Sequence, residues 1–162
     1  QSGKASVVFK STFATAFLNS SDWKAKWISS GIAADTVDGR IPLFKKSFVA
    51  SKKVKQARLF ITARGLYEAS INGKRIGDAY LTPGWTSYNK HLQYQVYDLT
   101  TDINKGQNEL NVLVGSGWFR TRIAWENNKN FYEFFPDAVR WTSPRRVWSH
   151  LARAWSLANN SR

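Results

Sequence analysis

Apolar and polar positions alternate in several short runs, and the clearest spans residues 54–64. There Ala57, Leu59, Ile61 and Ala63 fall on one side, and Arg58, Phe60, Thr62 and Arg64 on the other. A period of two predicts a β-strand, and small or apolar residues alternating with charged ones predict one wet face. Gly65 ends that run. Tyr67, Ala69 and Ile71 then alternate with Glu68 and Ser70, and the segment leads into Asn72-Gly73. Asn-Gly supplies the positive φ angles of a tight turn, so residues 66–76 predict a β-hairpin.

Weaker runs continue the pattern. Residues 43–49 predict a strand, as do 92–97, with Leu92, Tyr94 and Val96 on one face. Residues 108–114 alternate with Leu110, Val112 and Val114 inward, and 117–125 form a further candidate strand. Residues 6–17 alternate loosely and predict one or two strands. Residues 31–40 read as a loop, Lys52-Lys53-Val54-Lys55 as a loop or strand start, and 99–106 as a turn closed by Gly106. Strands at regular spacing with almost no helix predict an all-β protein, an antiparallel β-sandwich of jelly-roll type over residues 5–132. Its expected core includes Ala57, Leu59, Ile61, Tyr94, Val96, Leu110 and Val112.

Composition narrows the classes. A chain of 162 residues with a hydrophobic fraction of 43% suits one folded domain and excludes a disordered chain. Zero cysteines exclude disulfides, thiolate zinc sites and a cysteine nucleophile. No apolar run approaches a membrane span, so no membrane partner is expected. Methionine is absent, position 1 included, so the expectation is a chain either processed or cut from a longer reading frame. The formal net charge of +13 invites a nucleic-acid reading. The lysines, however, look scattered along solvated strand faces, so no nucleic acid is expected; an acidic polysaccharide would feel the same field.

Candidate chemistry favours binding over catalysis. Glycoside hydrolysis, for one, needs two carboxylates across a bond. The acidic residues here have plainer readings: Glu68 on a wet strand face, Asp35 and Asp38 in a loop, Asp98 and Asp102 capping a turn. His91 and His150 follow no ligand spacing. No cofactor is required; oxygen ligands leave calcium open, although the metal site is unknown. Trp85, Tyr88 and Trp118 lie in loops bearing glycine or proline, where rings reach solvent, and Asn72, Asp78 and Asn89 could bond sugar hydroxyls nearby. Trp85 and Trp118 could equally pack at the sandwich edge to hold those loops, and the turn itself explains Asn72. Trp23 and Trp27 are a sugar-stacking pair or, the favoured reading, plugs for one end of the sandwich.

Three series also carry a resemblance: GLYEASINGKRIGD, LTPGWTSYNKHLQYQVYDLT and KGQNELNVLVGSGWFR. With Asp22-Trp23-Lys24-Ala25-Lys26-Trp27-Ile28 and Pro42-Leu43-Phe44-Lys45-Lys46-Ser47-Phe48 upstream, residues 11–132 resemble the N-terminal β-sandwich module of bacterial α-L-rhamnosidases. The resemblance implies a galactose-binding-like sandwich and a non-catalytic, carbohydrate-associated role beside a catalytic domain. It implies rhamnose-containing carbohydrate as the partner and a parent secreted or periplasmic in a bacterium. Modules of this kind sometimes hold a sugar through calcium, but no ligand set matches here residue by residue. The alternative is an inter-domain buttress with no sugar affinity.

The pattern changes after Tyr132. All 13 lysines precede that point, whereas residues 133–162 carry only arginines as cations, with Trp141, Trp148 and Trp155 spaced by seven. Two readings stand: a helix capped by Ser143-Pro144, or, the favoured one, a shifted reading frame that leaves the sandwich incomplete. On the second, deleting 133–162 leaves the thermal midpoint nearly unchanged.

Overall fold

The computed structural model describes residues 9–11, 17, 19–29, 41–120 and 138–142. Its strands are β1 (Ile28–Ser29), β2 (Leu43–Ala50), β3 (Arg58–Arg64), β4 (Leu66–Ile71), β5 (Lys74–Arg75), β6 (Gln95–Asp98), β7 (Gly106–Gly115) and β8 (Ala138–Thr142). They form two four-stranded sheets, ordered β1-β8-β3-β6 and β2-β7-β4-β5. Every pairing is antiparallel. The predicted all-β sandwich is therefore present.

The hairpin forms where the alternation places it. Tyr67, Ala69 and Ile71 are buried, and the turn carries φ of 52° at Asn72 and 81° at Gly73. Left-handed angles at both central positions are those a tight hairpin requires. Ala57, Leu59, Ile61, Leu110 and Val112 are buried as expected, joined by Val114. Asp98 does cap the turn after β6, its carboxylate accepting from Thr100 N at 2.9 Å.

Four expectations are corrected. Val96 is 47% exposed, because in the β3–β6 register it lies beside Phe60, while Gln95 and Tyr97 lie beside Ile61 and Leu59 on the core side. Tyr94 is only half-buried and belongs to the opposite side of the sheet. There Phe60 stacks on Phe17 at 4.6 Å, and Trp23 and Tyr94 complete an aromatic cluster. That cluster is why β3 has no wet face: Phe60 and Thr62 are buried, Thr62 Oγ1 donating to Gln93 O at 2.6 Å. Gly117–Arg120 forms one helical turn, α1, where a strand was expected.

Strand β8 falls within the segment that sequence reasoning set apart. It lies between β1 and β3, pairing Ala138 to Thr142 with Arg64 to Phe60. The described part of the sandwich thus continues past Tyr132. The predicted helix after Ser143 lies outside the described residues, as do residues 31–40 and most of 6–17.

Strand direction gives the sandwich two unlike ends. One is formed by Gly65, loop 77–94 and the turn into α1; the other by loop 51–57, the Asn72-Gly73 turn and residues 99–105.

Candidate functional site

The first end is built from the inside outward. Tyr67 N donates to Thr82 O, and Thr82 Oγ1 donates to Tyr67 O, each at 2.8 Å. Gln95 Nε2 donates to Pro83 O at 3.2 Å, and Tyr67 Oη donates to Gln95 Oε1 at 2.8 Å. These bonds fasten the middle of loop 77–94 to both sheets. Arg75 orders the beginning of the loop: its guanidinium donates to Gly77 O and Ala79 O and covers the Tyr80 ring at 4.4 Å.

Trp85 emerges just beyond the pinned Thr82-Pro83 pair. Its ring lies parallel to that of Trp118, with planes within 4° and centroids 6.0 Å apart. Trp118 is half-buried and Trp85 is 54% exposed, so one indole supports the other and the outer one meets solvent. Parallel, offset rings are a favourable aromatic arrangement. Tyr88 is buried and meets Phe119 edge-on at 5.3 Å, so it anchors the loop. Asp78 and Asn89 are exposed on the same loop as Trp85.

Asn72 does not join them. It lies at the opposite end, where its Nδ2 donates to Asp102 O and Asn108 Oδ1, and its Oδ1 accepts from Glu109 N, all at 2.9 Å. The amide clamps the hairpin tip to the start of β7. Trp23 sits in the Phe17–Phe60–Tyr94 cluster, and the Arg64 guanidinium covers Trp27 at 5.2 Å and Phe119 at 5.7 Å. Sequence reasoning missed Arg64, Phe119, Arg75 and Tyr80. The available signal was proximity to Gly65, Trp118 and Gly77; the partners of Arg64 are remote in the chain, whereas Arg75 and Tyr80 are only five residues apart.

The acidic side chains are largely committed elsewhere. Glu68 pairs with Arg75, Asp102 with Lys74 and Glu109 with Lys45. Hydrogen bonding from Lys45 and then Asn111 holds Glu109 below the usual carboxylate range, and hydrogen bonding from Thr100 does the same for Asp98. Among the described residues no three acidic or histidine side chains converge on a metal position.

Burial first, and then the Tyr97 hydroxyl beside it, push ionisation of Tyr67 well above the ordinary tyrosine range. A raised folded value contributes stability fully present below the unfolded pKa of about 10 and lost as pH rises beyond it. Tyr67→Phe is therefore expected to flatten the fall in thermal midpoint between about pH 9 and 11, measured by circular dichroism. An unchanged alkaline slope would refute the burial of this hydroxyl.

A family model described as the Alpha-L-rhamnosidase N-terminal domain matches residues 52–141. The chain belongs to this family. Residues 52–141 include the hairpin, loop 77–94, α1 and most of β8, so the match also runs beyond Tyr132. A curated α-L-rhamnosidase of Formosa agariphila is 39% identical over 120 residues, which is 70% of this chain and 13% of that protein. The crystal structure of α-L-rhamnosidase from Aspergillus terreus superposes with a TM-score of 0.68 at 37% identity, covering 78% of this chain and 15% of that one. The Streptomyces avermitilis α-L-rhamnosidase, solved with L-rhamnose, gives a TM-score of 0.57 at 38% identity over 64% of this chain and 11% of that one. This rhamnosidase N-terminal domain thus spans a small share of the relatives' length.

Proposed function

We propose that this domain is a non-catalytic, carbohydrate-associated module of an α-L-rhamnosidase acting on rhamnose-containing glycans, with Trp85 as its sugar-facing ring. The observation that carries this reading is the Trp85–Trp118 stack, which holds an exposed indole rigid on a loop fastened to both sheets. Sugars present C–H faces to such rings, and a preorganised ring loses little freedom on binding. Asp78 and Asn89 supply polar groups on the same loop. The engagement of Glu68, Asp102 and Glu109 in ion pairs supports a role without catalysis, since a general acid needs a raised pKa.

The test is titration of L-rhamnose against tryptophan fluorescence, with and without chelator; the chelator arm reports any calcium requirement. A weak signal is expected, and Trp85→Ala should weaken it at least tenfold, about 1.4 kcal/mol. Saturable wild-type binding that Trp85→Ala left intact would refute the platform. A second reading is favoured by Tyr80 and Leu81, which are 79% and 60% exposed close to Trp85. A run of exposed apolar side chains suits a contact with the rest of the parent enzyme. Absence of any wild-type rhamnose signal would favour that buttress.

A further inference from the structure

We propose that the end of the sandwich opposite Trp85, carrying Lys52, Lys53, Lys55 and Lys105, is a docking surface for an acidic polysaccharide. Three of these lysines form the densest basic cluster in the sequence, Lys52-Lys53-Val54-Lys55, and the fold adds Lys105 from 50 residues away. The pairing of Ala50 with Gly106 sets the start of loop 51–57 beside Lys105. Ala57 N donates to Thr100 Oγ1 at 3.0 Å and Leu99 N donates to Ala57 O at 2.9 Å, which ties the far side of that loop to the 99–105 turn. All four side chains are exposed and form no ion pair among the described residues.

The carboxylates at this end do not neutralise them. Asp102 is held by Lys74 at 2.7 Å, and Asp98 lies opposite Arg58, which offsets its charge. The four ammonium groups are compact, movable point charges suited to acidic groups recurring along a polymer. A polysaccharide fits better than a nucleic acid. Single strands are held largely by stacking bases on aromatic rings, and two exposed rings, Tyr80 and Trp85, sit at the other end. The inference rests on the carbohydrate-associated reading only for the class of polymer, and it uses different residues.

The experiment measures binding of the whole chain to polygalacturonate by isothermal titration calorimetry. Binding is expected to weaken tenfold or more as salt rises from about 50 to 200 mM, because counterions are released on association. Replacing all four residues (Lys52→Gln, Lys53→Gln, Lys55→Gln, Lys105→Gln) is expected to weaken it at least tenfold, with the thermal midpoint unchanged. The same variant should keep its rhamnose response, and Trp85→Ala should keep its polygalacturonate affinity. Three outcomes would overturn the proposal: wild-type affinity in the fourfold variant, equal binding of fully methyl-esterified polymer, or tighter binding of single-stranded DNA of equal charge. Loss of the rhamnose signal alone would bear on the Trp85 platform and leave this surface standing.

Discussion

A chain ending at Tyr132 is expected to unfold at least ten degrees below one ending at Thr142. The shorter chain lacks β8, which lies between β1 and β3 and pairs five residues with β3. Strand β3 is deeply buried, with every position from Leu59 to Ala63 closed to solvent. Removing its neighbour strips backbone hydrogen bonds worth about 0.5–1.5 kcal/mol each and opens a central strand to water. It also detaches β1, which pairs with β8. A loss of several kcal/mol shifts the midpoint of a domain this size by about 2–8 °C per kcal/mol. The check is thermal unfolding of both truncations followed by far-ultraviolet circular dichroism. Equal midpoints would mean that β8 contributes nothing, as the reading of residues 133–162 as a frame-shifted tail required.

Gly65→Ala is expected to destabilise the domain far more than Gly73→Ala, although both glycines have positive φ, at 104° and 81°. A side chain at Gly73 meets nothing within 4 Å, so only the left-handed backbone costs, about 1–2 kcal/mol. At Gly65 the added carbon would run into the carbonyl oxygens of Gly115 and Ser116. Backbone oxygens cannot swing aside as a flexible side chain can. Backbone strain of about 1–3 kcal/mol is then joined by overpacking of similar size. The displaced 115–117 turn leads straight into Trp118, so the Trp85–Trp118 stack should loosen as well. Urea unfolding gives the stability difference, and the tryptophan emission of the folded protein reports the stack. Equal midpoints for the two variants would contradict the close approach of these turns.

How much of this was legible depended on range. Alternation along 66–71 and Asn72-Gly73 specified the hairpin, because a two-residue period and a left-handed turn are local properties. The same holds for the inward set Leu110, Val112 and Val114, and for the ring of Trp85 standing in a loop, whereas Trp118 lies in α1. Locality also explains the errors. Alternation states which residues share a side of a strand, but the covering of each side is decided by chain far away. Val96 and Tyr97 alternate equally well either way round, and only the β3–β6 register turned Tyr97 inward. Phe60 and Thr62 are buried because Phe17, Trp23, Tyr94 and Gln93 come to lie over them.

By itself the sequence determined the strand periods, the tight turn, the all-β class and, through its motifs, the family. Tertiary structure alone decided that Trp85 leans on Trp118, that the Asn72 amide bonds Asp102, Asn108 and Glu109 at the opposite end, and that Lys105 lies at the same end as Lys52, Lys53 and Lys55. It alone also placed β8 inside a sheet. Each of these joins residues tens of positions apart, and such pairings follow from strand order and register, which no local pattern encodes.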